Sequence, residues 1–376
     1  MKHKYHLRTW LEISNTAIEH NFRQIKKLIS GQTKFLGVVK SNAYGHELFG
    51  FAQQLQKLRA DMLGVDSITE GYALRKQNIT LPILILGYTL PENFELAKKQ
   101  RLAMTVSGFE NLKILSRQKQ PSHIHLKIDT GMHRQGFMLN DLPAALKIIK
   151  NSKTIKLLGA YTHLAGAKRA DAAGDTKKQI LNFEAAKSLV NEAGFKNIIF
   201  HCSATAGMLN YPETHYNMVR VGIGLYGLWP SEESKMRWKD TISLKPVLTW
   251  KAVISELKWV EKGAKIGYDY TETLRKRTLV AILPIGYWHG YWRAFSGCAE
   301  VLVKGKRCRV LGRVSMDMVA IDLTGVNSPK VLDEAVLMGA QGKEQVSAEE
   351  LAGLADTTNY EIVTKLNPLI KRIYAN

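Results

Sequence analysis

Between residues 35 and 227 one rhythm recurs eight times: a short apolar run, then polar text whose apolar residues fall at helical spacing. The runs cover 35–39, 62–65, 81–86, 103–106, 123–129, 156–163, 197–202 and 218–227. Uninterrupted apolar runs of this length are the signature of strands buried on both faces, as in a parallel sheet. The intervening text reads as helices near 46–59, 68–76, 92–99, 109–116, 142–150, 176–193 and 205–210. One more helix, over 14–29, precedes the first strand: Ile18, Phe22, Ile25, Leu28 and Ile29 share a face, and Ser14 or Asn15 can cap it. Eight strand–helix units over about 200 residues favour a closed (β/α)8 TIM-type barrel over an open doubly wound sheet.

Past Trp229-Pro230 the texture changes. An alternating stretch at 247–260 and short runs at 279–285, 299–303, 308–314 and 318–323 read as strands joined by glycine-containing turns. Helices return only near the end, where Ser347-x-x-Glu350 and Thr358-x-x-Glu361 form capping-box patterns. With 376 residues, too many for one comfortable core, the chain is expected to form a barrel domain over 1–240 and a mostly β domain over 241–376. The N-terminal segment 1–13 is expected to pack with the second domain.

Composition removes several function classes. No apolar run reaches the roughly 20 residues a membrane helix needs, and the first ten residues lack the apolar core of a signal peptide. Cys202, Cys298 and Cys308 are odd in number and lack C-x-x-C spacing, which argues against a disulfide framework and a zinc site; a reducing, cytoplasmic setting fits. The net charge of +20 invites a nucleic-acid reading. Yet the clusters Arg275-Lys276-Arg277 and Lys304-Gly-Lys306-Arg307 lack interleaved stacking aromatics, so a solvated basic surface with no specific nucleic-acid partner is expected.

Barrel enzymes gather their chemistry at the carboxyl ends of the strands. The first strand ends in Val38-Val39-Lys40-Ser41-Asn42-Ala43-Tyr44-Gly45-His46, placing a lysine at the mouth of an apolar barrel. A lysine desolvated there deprotonates more easily and can join an aldehyde, whereas an ordinary strand-end lysine reaches for solvent. The fifth strand runs to Lys127-Ile-Asp129-Thr-Gly-Met132-His-Arg134, the sixth to Thr162-His163, the seventh to His201-Cys-Ser203-Ala-Thr205, and the eighth carries Arg220-Val-Gly222-Ile223. Singly, each has a plain structural explanation. Jointly they place a hydroxyl and backbone amides after strands seven and eight, the usual phosphate site of a barrel.

The Val38–His46 stretch resembles the pyridoxal-phosphate lysine motif of the alanine racemases, with Ser41 where alanine is usual, and the resemblance extends over nearly the whole chain. It implies a racemase that interconverts L- and D-alanine with pyridoxal 5'-phosphate by a two-base mechanism and supplies D-alanine for peptidoglycan. By the same resemblance Lys40 and Tyr268 are the catalytic bases. Lys40, Tyr44, His163, Thr205, Arg220, Gly222, Ile223 and Tyr360 bind the cofactor, Thr205 standing for a common serine. Arg220 faces the pyridine nitrogen, where a permanent cation discourages protonation of the ring. Arg134 and the Met316 amide hold the substrate carboxylate. Lys127 matches a lysine carbamylated in many relatives, and Tyr287 lines the entrance. Tyr268 is set off from Tyr270 by its spacing to Pro284-Ile-Gly-Tyr287.

No metal is implied, and a head-to-tail homodimer with shared sites is. Departures from the pattern fall at 164–171 and 288–293, Leu-Ala-Gly-Ala-Lys-Arg-Ala-Asp and Trp-His-Gly-Tyr-Trp-Arg, both in the family's entrance region. A serine-preferring or broad-range racemase of the same fold is the rival enzyme reading. A basic cofactor carrier or nucleic-acid binder is the non-enzyme alternative.

Overall fold

The computed structural model describes residues 7–376, and the opening six residues of the expected 1–13 segment lie outside them. Strand β1 (Thr9–Ser14) comes first. The eight apolar runs then form β2 (Lys34–Val38), β3 (Met62–Val65), β4 (Ile83–Ile85), β5 (Leu102–Val106), β6 (Ser122–Lys127), β7 (Ile155–Tyr161), β8 (Ile199–His201) and β9 (Met218–Val221). They pair in parallel in the order β8-β7-β6-β5-β4-β3-β2-β9. The seam between β8 and β9 is bridged by Asn217 N–H to Phe200 O at 3.2 Å and Arg220 N–H to Ser203 O at 2.9 Å. Phe200 N–H also donates to Asn217 Oδ1 at 3.0 Å. The ring is thus an eight-stranded, nearly closed barrel.

Helices follow the sequence periodicity. Asn15–Lys26 is capped by Ser14, whose Oγ accepts from Ala17 N–H at 3.1 Å. The outer layer continues through Leu48–Lys57, Ile68–Lys76, Phe94–Lys99, Phe109–Ser116, Leu142–Asn151, Ala173–Glu192 and Thr205–Asn210. Between strands and helices lie fully buried side chains such as Phe35, Phe51, Phe94 and Phe183.

The chain divides into two compact units. The barrel unit comprises Ile18–Ala43 and Leu48–Lys245; the other takes the residues up to Ala17, then Tyr44–Glu47, then Pro246–Asn376. The second unit contains β10 (Leu248–Val253), β11 (Glu256–Val260), β12 (Lys265–Ile266), β13 (Glu272–Thr273), β14 (Thr278–Leu283), β15 (Glu300–Val303), β16 (Lys306–Leu311), β17 (Val319–Asp322), β18 (Glu334–Gln341), β19 (Glu344–Val346) and β20 (Lys371–Ala375). Its main sheet has ten strands, in the order β11-β14-β17-β16-β15-β18-β10-β1-β20, with β19 beside β18. Here β1 pairs antiparallel with β10 and parallel with β20.

Two expectations need correction. The alternating stretch 247–260 is not one strand: Ile254 N–H donates to Asp333 O and Ser255 N–H to Ile282 O, so the chain changes partners between β10 and β11. Ser347 does cap Ala348–Leu354, accepting from Glu350 N–H at 3.0 Å, but Glu350 turns to Arg307. Thr358 makes no side-chain cap to Asn359–Thr364.

Candidate active site

Beyond β2 the backbone makes a single left-handed turn. Ser41, Asn42 and Ala43 lie at φ 56, 56 and 51° with ψ near 50°, and Tyr44 follows at φ 51°. None is glycine, and left-handed helical geometry costs L-residues roughly 1–2 kcal/mol apiece. The turn is tied down: Ala43 N–H reaches Val39 O at 2.8 Å, Asn42 N–H reaches Glu70 Oε1 at 3.1 Å, and Asn42 Oδ1 accepts from Leu48 N–H at 3.0 Å. Gly45, at φ 81°, completes it; a Cβ there would sit 2.0 Å from Val363 O. Lys40 opens this turn. Its side chain is 40 % exposed, with Nζ 3.8 Å from Asp66 Oδ1, so Lys40 is only partly withdrawn from water.

The lysine stripped of water is Lys127, at the end of β6, which is 5 % exposed. Burial, then the nearby Arg220 and Arg134 guanidiniums, push its amine well below the usual lysine range. Its Nζ lies 4.7 Å from the ring centre of Tyr161, which stacks on His201 with centroids 4.7 Å apart.

Arg220, on β9, is the hub of this polar floor. Nη1 donates to His201 O and stands 3.0 Å from His201 Nδ1. Nη2 donates to Thr162 O at 2.8 Å and Cys202 O at 2.7 Å and lies 3.3 Å from His163 Nδ1. A guanidinium can only donate, so both Nδ1 atoms act as acceptors and the proton of each ring sits on Nε2. His201 Nε2–H then donates to His125 Nδ1 at 2.9 Å. Room for the His125 ring exists because residue 159 is glycine, whose added Cβ would fall 2.4 Å from Nδ1. Burial, reinforced by Arg220, holds His125 down to about 3 and drives His201 and His163 well below the ordinary imidazole range. All three rings are neutral near pH 7.

A second cluster follows β8 and β9. Thr205 Oγ1 accepts from Gly222 N–H at 3.2 Å and Gly224 N–H at 3.5 Å, which leaves the hydroxyl proton free to donate. An added Cβ on Gly224 would lie 2.9 Å from Thr205 Cγ2. A hydroxyl whose oxygen is held by two amides, so that its proton points away, suits an anion such as a phosphate. Asp129 shapes the loop before Arg134: its Oδ1 accepts from the amides of Gly131, Met132 and His133 at 2.9, 3.1 and 3.0 Å.

In the second unit Tyr44 and Tyr360 are neighbours, with ring centres 6.2 Å apart, and burial raises the Tyr44 phenol to about 12. Tyr287 and Met316 sit on two loops stitched by Tyr287 N–H to Ser315 O at 3.0 Å and Trp288 N–H to Met316 O at 3.1 Å. Only glycine fits at 286, where a Cβ would stand 2.0 Å from Ser315 O. Within the unusual 288–293 segment, His289 Nδ1 accepts from Gly286 N–H at 3.2 Å. Tyr268 and Tyr270 lie on one tight turn and are 64 % and 68 % exposed, so both phenols are offered to solvent or a ligand.

The barrel mouth and floor therefore carry Lys40, Lys127, His163, Thr205, Arg220, Gly222 and Ile223, with Arg134 exposed beside them. Sequence reasoning missed His125 and Glu70. The first had no signal beyond its alternation with Lys127; the second hid in Ser67-x-x-Glu70, which reads as an ordinary helix start. Among the described residues no group of His, Cys, Asp or Glu could hold a metal, and no helix is long and apolar enough to cross a membrane.

Family models for the alanine racemase N-terminal and C-terminal domains match residues 13–230 and 247–374. Curated relatives named alanine racemase include that of Symbiobacterium thermophilum, 38% identical with 97% of each chain covered. That of Carboxydothermus hydrogenoformans is 39% identical, covering 97% of this chain and 99% of its own. Among solved structures, an alanine racemase of Clostridium difficile superposes with a TM-score of 0.92 at 34% identity, covering 98% of this chain and 96% of that one. The alanine racemase of Bacillus anthracis, described with bound L-Ala-P, gives 0.92 at 32% identity over 99% and 96% of the two chains.

Proposed function

Because the chain belongs to the alanine racemase family, we propose that it is a pyridoxal-phosphate-dependent isomerase that interconverts L- and D-alanine, with two bases on opposite faces of the substrate. The D-alanine so made serves peptidoglycan synthesis in the cytoplasm. The observation that carries this reading is one barrel in which a strand-end primary amine, a buried guanidinium and a Thr205 hydroxyl fixed by the Gly222 amide occur together. That donor set fits the cofactor: Lys40 for its aldehyde, Thr205, Ile223 and Gly222 with Tyr44 and Tyr360 for its phosphate, and Arg220 and His163 for its ring.

The bound cofactor supplies a conjugated, electron-withdrawing ring that acidifies the α-hydrogen of an amine joined to its aldehyde. The protein governs where the proton goes. The Lys40 amine would remove or return the proton on the D-alanine face. Tyr268 of a second copy serves the L-alanine face, in a head-to-tail dimer whose two-fold symmetry makes two identical sites. A phenol of pKa about 10 is a weak base at neutral pH. Neutral His163, its Nδ1 turned to Arg220, presents Nε2–H as a donor that favours the phenolate of Tyr268. Arg134 and the Met316 amide of the second copy hold the substrate carboxylate, and Tyr287 lines the approach. Lys127, whose burial and neighbouring Arg220 and Arg134 make its amine easier to deprotonate, is suited to become a carbamate.

The test is a racemisation assay with L- and D-alanine and, in parallel, L-serine and larger amino acids. The purified protein is expected to be yellow, to lose that absorbance on borohydride treatment with Lys40 labelled, and to favour alanine. Faster turnover of serine would move the assignment to the rival racemase; a colourless protein after added cofactor would defeat both.

A further inference from the structure

The four left-handed residues after Lys40 persist only where their surroundings over-determine them. One of the groups that do so is Glu70. Its Oε1 accepts from Asn42 N–H at 3.1 Å, inside the turn, and its Oε2 accepts from Asp66 N–H at 2.8 Å, in the loop after β3. Asp66 is the residue whose carboxylate stands 3.8 Å from Lys40 Nζ. A single side chain thus fixes the backbone on two sides of the amine. Glu70 lies in the first turn of Ile68–Lys76, where Ser67 Oγ accepts from Glu70 N–H at 3.3 Å. The helix start accounts for the backbone of Glu70. Its carboxylate is turned away to the two amides beside Lys40.

We propose that Glu70 is a positioning residue for Lys40, holding the left-handed turn and the Asp66 loop so that Nζ stands where cofactor and substrate meet it. This rests on reading Lys40 as the cofactor lysine. Without Glu70 the Asn42 amide loses its acceptor and the turn can relax toward the right-handed or extended geometry its residues prefer. Lys40 would then leave its place although its own chemistry is untouched. Glutamine keeps one acceptor oxygen and replaces the other with a donor, so it retains half of the clamp. Glycine at position 41 acts from the other side: it adopts the Ser41 geometry, φ 56°, without penalty.

The experiment compares wild type, E70A, E70Q, S41G and the double variant S41G/E70A. Stripped protein is mixed with pyridoxal phosphate; capture is followed by absorbance, and the fraction of Lys40 fixed by borohydride is read by peptide mass. E70A is expected to slow capture by at least about tenfold, the loss of one charge-assisted hydrogen bond, with E70Q in between. S41G/E70A is expected to recover most of that loss, and amide exchange at Asn42 should follow the same order. In deuterated water, E70A should lose more α-hydrogen exchange from D-alanine than from L-alanine. Wild-type capture by E70A would overturn the proposal. So would a defect that S41G does not relieve, since a weakened helix start lies on a different element from Ser41. Should E70A fail to fold, E70Q against S41G/E70Q carries the same comparison. A wild-type protein that fixes no cofactor on Lys40 would instead remove the functional reading itself.

Discussion

Arg220 and His201 face each other at 3.0 Å, guanidinium Nη1 to imidazole Nδ1, with no carboxylate among the arginine's partners in the described residues. The remaining acceptors are the carbonyls of Thr162, His201 and Cys202 and Nδ1 of His163. A buried cation held only by neutral acceptors keeps an uncompensated positive charge pointed into the barrel.

Replacing Arg220 with lysine keeps a charge but not the fork, stranding at least two buried acceptors. Each unpaired buried acceptor costs about 1–3 kcal/mol. R220K is therefore expected to lose about 2–6 kcal/mol of unfolding free energy, measured by urea titration. An unchanged midpoint would show that the carbonyls find other donors.

Acid should destabilise the barrel early. His125, His163 and His201 are neutral when folded and bind protons readily when unfolded. Their folded pKa values lie below the unfolded value of about 6.5, so the stability they confer is complete above that pH and is lost as pH falls. For His125 the loss runs from about 6.5 down to about 3. Each ring contributes up to about 1.4 kcal/mol per pH unit over its window. Urea midpoints between pH 7 and 5, above the usual carboxylate range, should fall steeply, and less steeply in His125→Leu. A flat profile would contradict the neutral assignment.

Lys127 should react with carbon dioxide. Burial and two neighbouring guanidiniums favour its uncharged amine, and a carbamate would replace cation repulsion with attraction to Arg134 and Arg220. Protein equilibrated with labelled bicarbonate should show a carbamate signal absent from Lys127→Met, and bicarbonate should raise its melting temperature. No signal at any bicarbonate concentration would leave Lys127 as an unmodified neutral amine.

Tyr268→Phe should keep its cofactor and lose about 10²- to 10⁴-fold in racemisation. The loss should be directional: α-hydrogen exchange from D-alanine through Lys40 persists, while exchange from L-alanine falls much further. Mixing it with Lys40→Ala protein should restore activity, since mixed dimers carry one site with both bases. No recovery while subunits demonstrably exchange would argue against shared sites, and equal loss in both directions would contradict the roles assigned to the two faces.

The barrel was legible because its period is strong: all eight runs became strands, and helices such as Ile68–Lys76, Phe109–Ser116 and Thr205–Asn210 fall where the spacing put them. The β unit was less so. Glu334–Gln341 escaped notice although its apolar run, 335–338, is of the kind read as a strand in the barrel, and Glu344–Val346 and Lys371–Ala375 because they are short and mostly polar. The motif residues could be named from sequence, but not their physics. The lysine at the strand end proved half-exposed, while desolvation fell on Lys127, because enclosure depends on neighbours from β7 and β9 that no local window contains. The left-handed turn was invisible for the same reason: of Ser, Asn, Ala and Tyr only Asn favours it, and Glu70, one of the groups that hold it, lies in another strand–helix unit.

The place of β1 between β10 and β20 has a consequence for biogenesis. Leu11 and Ile13, fully buried in the finished sheet, are made before any barrel strand, yet their antiparallel partners in β10 follow only after the entire barrel. The parallel partners in β20, from Lys371 to Ala375, come nearly a whole chain later. The barrel has its own core and every strand it needs, so it can close during translation. The β unit cannot, because one of its inner strands precedes the barrel in the chain and the strand beside it follows the barrel. A nascent chain therefore carries an unpaired apolar strand through most of its synthesis, which makes that segment the natural target for chaperones and for misassembly between chains on one polysome.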